Sequence, residues 1–169
     1  EEQVTTLEEK ARAELALRFL TRKRLLPFVE RFNPDYQAGW VHKDICKRLE
    51  EFSRDVAEKK SPRLMLFMPP RHGKSTLASV AFPAWHLGRN PEHEFISCSY
   101  SGSLAMAFSR KVRGLLREEG FKSAFKTRLD PQSQSAEAWL TTSGGGLLLL
   151  VWAVVLLVKG LISSLSTIR

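Results

Sequence analysis

Acidic residues run out early in this chain. The last carboxylate is Glu137, and no Asp or Glu follows it as far as Arg169. Chemistry that needs a pair of acids at the end of an apolar strand therefore finds only Asp130 and Glu137 late in the chain, and neither ends such a strand. Cysteine is scarce too. Cys46 and Cys98 are far apart with no metal-ligand spacing, which excludes a disulfide framework and a thiolate metal site. Both are expected to be reduced, part-buried thiols of a cytosolic protein. There is no initiator Met at position 1, so the chain begins after its removal or inside a longer reading frame. A long apolar run is also missing. The best, 147–158, holds twelve residues and reaches about 18 Å as a helix, against a bilayer core of about 30 Å. Adding Gly144 to Gly146 and the stretch to Ile162 makes a marginal span, so the run is a weak candidate for membrane association.

Positive charge is what the chain has in excess. Lys and Arg number 26 against 18 Asp and Glu, a net charge of +8 that suits a polyanionic partner. Basic residues gather at Arg22-Lys23-Arg24, at Arg110, Lys111, Arg113 and Arg117, and at Lys122, Lys126 and Arg128. For any single cluster a solvated helix face is the simpler reading. At 169 residues there is room for one domain with a sizeable core.

The most informative segment is Met68-Pro69-Pro70-Arg71-His72-Gly73-Lys74-Ser75. Gly-Lys-Ser alone arises by chance in roughly one chain of this length in ten, so its setting decides. Arg63 to Met68 reads as a buried parallel strand, and Ser75 to Leu87 reads as the helix that follows. A triphosphate needs donors converging on its oxygens, and a loop running into a helix N-terminus supplies backbone amides and the helix dipole. Gly73 lets the backbone come close. Lys74 would place a point charge on the β- and γ-phosphates, and the Ser75 hydroxyl would help hold Mg2+. Met68 stands where the usual pattern has its first glycine. Pro69 and Pro70 stiffen the approach, Arg71 and His72 add charge or donors, and Thr76 completes the candidate site for ATP and Mg2+.

Around the loop, Thr6-Leu7-Glu8-Glu9 fits a capping box opening a helix to about Arg24. Phe32-Asn33-Pro34-Asp35 breaks the pattern, and a second helix is expected from about Val41 to Lys59 with Ile45, Leu49 and Phe52 on one side. Phe95 to Cys98 reads as the second strand. Ser103 to Glu118 reads as a helix with apolar spacing at Leu104, Ala107, Phe108, Val112 and Leu115. The alternation predicts an α/β fold, a parallel sheet wrapped by helices.

Pro69-Pro70-Arg71-His72-Gly73-Lys74-Ser75 resembles the variant phosphate loop of the large terminase subunit of tailed bacteriophages. The resemblance covers roughly residues 30 to 146. It includes Gly39-Trp40-Val41-His42 with Ile45 and Leu49, Phe82-Pro83-Ala84-Trp85, Ser97-Cys98-Ser99-Tyr100, Phe108 to Arg113, and Ala138 to Thr142 before Gly144-Gly145-Gly146. It implies a P-loop NTPase of the RecA-like kind, the ATPase half of a motor that drives double-stranded DNA into a procapsid. The implied partners are DNA, a small terminase subunit and a portal protein, inside a bacterial host cell. Tyr36, Gln37 and His42 then become possible adenine contacts, with plain surface and packing roles as the alternative. The organisation read this way is a helical segment 1–60, the first half of the ATPase domain 61–146, and an apolar tail 147–169.

Such a motor also needs an acidic pair to hold Mg2+ and polarise water, and a nuclease domain after the ATPase; no counterpart of either is found. Taking each codon's third base with the next codon's first two gives the tail another meaning. From Leu150 to Arg169 that frame permits Gly-Val-Gly-Gly-Gly-Ile-Thr-Gly-Lys-Gly-Ala-His-Ile-Leu-Ser-Ile-Asp-Asp-Pro, a glycine-rich turn and an apolar strand ending in two aspartates. The expectation is a frameshift near codons 146–149, an incomplete ATPase core, and no catalytic residues. Two alternatives stay open: another loop-containing ATPase or kinase using Asp130 or Glu137, and a small basic membrane-associated protein.

Overall fold

The computed structural model describes residues 2–151. Its N-terminal part is helical, with α1 at Glu2–Lys23, α2 at Leu25–Phe32 and α3 at Trp40–Ala57. Because α1 already begins at Glu2, Thr6 lies inside it, and the Thr6–Glu9 pattern does not mark the helix start. The chain breaks instead at Arg24, whose extended backbone separates α1 from α2. Pro27 falls in the first turn of α2, where its missing N–H costs nothing. Glu50 of α3 holds this corner, accepting from the Leu25 amide at 2.7 Å and from Arg24 Nε at 2.9 Å. Helix α3 matches its expected span and buries Ile45, Cys46, Leu49 and Ser53 along one stripe.

Residues 63–68 depart from expectation. Leu64, Leu66 and Met68 pack against the core, while Met65 is 80% and Phe67 90% exposed. The alternation is that of a strand, yet no partner strand pairs with the segment among the described residues. It is an extended chain lying beside the core, not a buried strand within the sheet.

The helix after the loop forms in two windings. A π-helical stretch, Thr76–Ala81, leads without a break into α4, Phe82–Arg89. Pro83 accounts for the change. In a regular α-ladder its ring would meet the carbonyl four residues back, and the wider winding instead carries the Phe82 amide to Leu77 O. Nearly all of α4 is buried: Trp85 is fully covered and its indole N–H donates to the Thr21 carbonyl at 3.1 Å.

The rest of the described chain is β1 (Glu94–Ser99), α5 (Gly102–Arg117), α6 (Glu119–Ala124), β2 (Leu129–Gln134), β3 (Ala138–Thr141) and β4 (Gly146–Val151). The four strands lie in the order β1-β4-β3-β2. Only β1 and β4 are parallel, with Phe95 opposite Leu147 and Ser97 opposite Leu149. The β2–β3 and β3–β4 pairs are antiparallel. The fold is therefore α/β with a mixed sheet, not a parallel one, because the short connections around β3 can only turn the chain back on itself.

Among the described residues, helices do not cover both faces either. Phe95 and Leu147 point into the core, while Ile96 (60% exposed), Leu140 and Leu148 lie on the other face. Along α5 the buried stripe is Ala105, Ser109, Val112 and Leu116. Leu104 sits at the rim and Phe108 and Leu115 are half-buried, so the helix is rotated by about one residue from its apolar spacing. Ser109 earns its buried place by accepting the Trp139 indole N–H at 3.0 Å.

A glycine run joins the sheet to the turn before β1. The Gly145 amide donates to Pro91 O at 3.1 Å, the Gly146 amide to His93 O at 3.0 Å, and Thr141 Oγ1 to Pro91 O at 2.5 Å. A Cβ on Gly145 would run into the Pro91 and His93 carbonyls, so glycine is what lets the strands approach. The apolar tail thus begins as the sheet strand β4, and its residues 152–169 lie outside the described residues. No helix among the described residues is long and apolar enough to cross a membrane.

Candidate functional site

The candidate loop sits where α3, the extended segment and the start of the following helix meet. Gly73 has φ of +77°, and Arg71, unusually for a residue with a side chain, has φ of +64°. Holding Arg71 there costs about 1 kcal/mol or more. His42 of α3 supplies the restraint. Its Nδ1 accepts from the Gly39 amide at 3.0 Å, which leaves Nε2–H to donate to the His72 carbonyl at 3.0 Å. His72 in turn donates from Nδ1 to Pro70 O at 2.8 Å. Two loop carbonyls are thereby drawn back onto imidazoles.

The amides face the other requirement. Leu77 N–H donates to Gly73 O at 3.0 Å, the first backbone bond of the helix. The amides of Lys74, Ser75 and Thr76 stand ahead of it at the helix's open, positive end. Pro69, Pro70, Arg71, His72 and Ser75 are exposed, and Gly73, Lys74 and Thr76 are half-buried. Lys74 enters no ion pair among the described residues. The structure therefore gathers all eight candidate residues into one turn, with a free cation and several donors, an arrangement suited to an anion with several oxygens.

Tyr36 lies beneath this turn. Its hydroxyl is buried with no hydrogen-bond partner among the described residues, and a Cβ on Gly73 would come within 3.3 Å of it. Burial first, then the Cys46 thiol, pushes the phenol up to about 12, so it remains a neutral donor. His42 packs edge-on to its ring with centroids 5.6 Å apart. Both nitrogens of His42 are engaged with backbone, so His42 braces the loop. Gln37 is exposed.

The late carboxylates are placed elsewhere. Asp130 lies in β2, at the sheet edge opposite β1, and accepts from the Gln132 amide at 2.9 Å. Glu137 is exposed just before β3. No group of three metal-ligating side chains occurs among the described residues. Neither cysteine is part-buried as expected: Cys46 is fully buried, which pushes its thiol up to about 12, and Cys98 is exposed. Several basic residues are structural: Arg24 pairs with Glu50, Lys122 with Glu119, and Arg128 donates to the Phe125, Thr127 and Lys122 carbonyls.

One polar chain had no signal in the sequence. Ser53 Oγ lies 2.8 Å from His86 Nδ1, His86 Nε2 lies 3.0 Å from His93 Nδ1, and Glu92 is 3.8 Å from His93 Nε2. Burial, reinforced by His93 and Arg89, lowers His86 to about 4. Ser53 and His86 are both buried, so the chain ties α3 to α4 and the turn before β1 and offers no nucleophile to a ligand. No family model matches the chain, and neither a curated protein nor a solved structure matches it.

Proposed function

We propose that this chain binds a nucleoside triphosphate at Pro69–Thr76 and is the ATPase part of a terminase large subunit, read out of frame from about codons 146–149. The observation that carries the reading is the braced loop: Gly73 at positive φ, Lys74 without an acidic partner, and the helix amides open beside it. On this reading the amides of Lys74, Ser75 and Thr76 hold phosphate oxygens and Lys74 Nζ sits between the β- and γ-phosphates. The exposed Ser75 hydroxyl fits one ligand position of Mg2+, whose remaining ligands would be phosphate oxygens and water. The P-loop NTPase fold, double-stranded DNA, the small subunit and the portal protein belong to the same proposal.

On this reading the chain binds without hydrolysing: the late carboxylates lie at the far side of the sheet, Asp130 in β2 and Glu137 just before β3. The unpaired segment 63–68 fits the same picture, because a loop-bearing strand in a complete sheet would have neighbours on both edges.

The test is titration of Mg2+-ATP into the full chain, with turnover followed in parallel. Lys74→Ala is expected to weaken binding by about 1.5–3 kcal/mol, ten- to a hundredfold, as for a lost hydrogen bond to charge. Turnover is expected at background; Mg2+-dependent hydrolysis abolished by Lys74→Ala would overturn the non-hydrolytic reading. Resequencing the gene from codon 140 past Arg169 tests the frame: a second frame running through Asp-Asp-Pro into a long open frame is expected, and one that closes at once removes the frameshift.

A further inference from the structure

A cavity of about 490 Å³ opens where α1, α4 and the α6–β2 connection meet, away from the loop. Its walls include Phe19, Arg22, Lys23, Arg89, Phe125 and Lys126, and no carboxylate. None of the four cations enters an ion pair among the described residues, in contrast to Arg24, Arg31 and Lys122 nearby. The ordinary explanation would be helix ends, because Arg22, Lys23 and Arg89 fall in last turns, where cations balance the dipole.

That explanation is too small. The last carbonyls of α4 already have donors: Asn90 N and Nδ2 both reach His86 O, and Thr127 Oγ1 reaches Leu87 O and Gly88 O at 3.2 and 2.9 Å. Two helix ends contribute roughly half a negative charge each against four full positive ones, which leaves a net charge of roughly +3. Arg89 is also held in place, its guanidinium 4.7 Å over the Trp85 ring. Beside it, Phe19 is 53% exposed, with the Lys23 ammonium 5.8 Å from its ring centre. Cations that lack acids, an exposed aromatic face and a cavity within the range of small-ligand sites occur together.

We propose that this pocket is a second phosphate site that takes one nucleotide unit, its phosphate against Arg22, Arg89 and Lys126 and its base on Phe19. The proposal stands apart from the loop and does not depend on ATP binding there. Pocket size admits a single unit, whether a free nucleotide or one residue of a strand.

Anisotropy of a fluorescein-labelled oligothymidylate with the full chain, across a salt series, tests it. Arg22→Ala with Lys126→Ala is expected to weaken binding about tenfold or more and to lower the salt slope by about 0.7 for each phosphate no longer neutralised. Phe19→Ala is expected to weaken it about fivefold or more through lost stacking. Arg110→Ala with Lys111→Ala makes the same charge change outside the pocket and is expected to leave binding nearly unchanged. Equal loss from both basic pairs, or no loss from the pocket pair, overturns the site. If the alanine pair fails to fold, Arg22→Gln with Lys126→Gln makes the same comparison. Displacement by thymidine monophosphate identifies a site for free nucleotide; resistance to it identifies a site for a unit within a strand.

Discussion

His86 shows how one buried side chain couples folding to pH. Its imidazole is neutral in the folded chain because burial disfavours the charged form, and His93 and Arg89 add to this. The group falls from an ordinary 6.5 to about 4, so between those values the unfolded chain binds the extra proton. Stability is fully present above pH 6.5 and is lost as pH falls toward 4. Between pH 7 and pH 5 the loss from this group is about 2 kcal/mol. Urea unfolding at the two pH values measures it, and His86→Phe is expected to flatten the difference. His42 shows a different side of the same residue type. From the sequence, His42 reads as a possible base contact, with a surface or packing role as the alternative. Only the fold reveals that both ring nitrogens are used on backbone, because His72 lies 30 residues away in sequence.

Elements were legible where their own residues decide them and obscure where neighbours do. The 3.6-residue stripe of Ile45 and Leu49 gives α3 without ambiguity, and the apolar spacing over 103–118 gives α5, whose start Ser101 caps by accepting from the Leu104 amide at 3.4 Å. The break between α1 and α2 had a signal in Pro27, which sits comfortably only in a first turn. Residues 63–68, a continuous apolar run after Arg63, alternate in burial as a strand would and still pair with no strand among the described residues, since a strand is defined by its partners. The parallel sheet failed for the same reason: nothing local in Ala138–Thr141 announces which way β3 runs. The glycines between β3 and β4 offer a sharp comparison. Gly145→Ala drives a methyl into two backbone carbonyls and is expected to destabilise by about 3 kcal/mol or more. Gly144, at φ of +91° with open space around it, is expected to lose only about 1 kcal/mol on the same change. Urea midpoints of the two variants check the contrast.

At the scale of the whole molecule, two features oppose one another. Among the described residues, nothing covers Ile96, Leu140 and Leu148 and β1 has no second neighbour, an invitation to self-association. A net charge of +8 keeps copies apart. Salt screens that repulsion, so light scattering is expected to show a monomer at low ionic strength and growing assemblies as salt rises. Ile96→Lys with Leu148→Lys is expected to suppress the growth. The residues of the candidate loop could be listed from the sequence because they are contiguous; those of the basic pocket could not, because its cations come from three separated segments. One last property follows from the glycine clamp. Leu147, Leu148, Leu149 and Leu150 are four identical side chains, and a strand of identical side chains carries no phase of its own. Sliding it by one residue exchanges the inward and outward faces and substitutes leucine for leucine. The hydrophobic effect is blind to that error. The Pro91 and His93 carbonyls, which receive the Gly145 and Gly146 amides, are what distinguish the correct alignment from its neighbours.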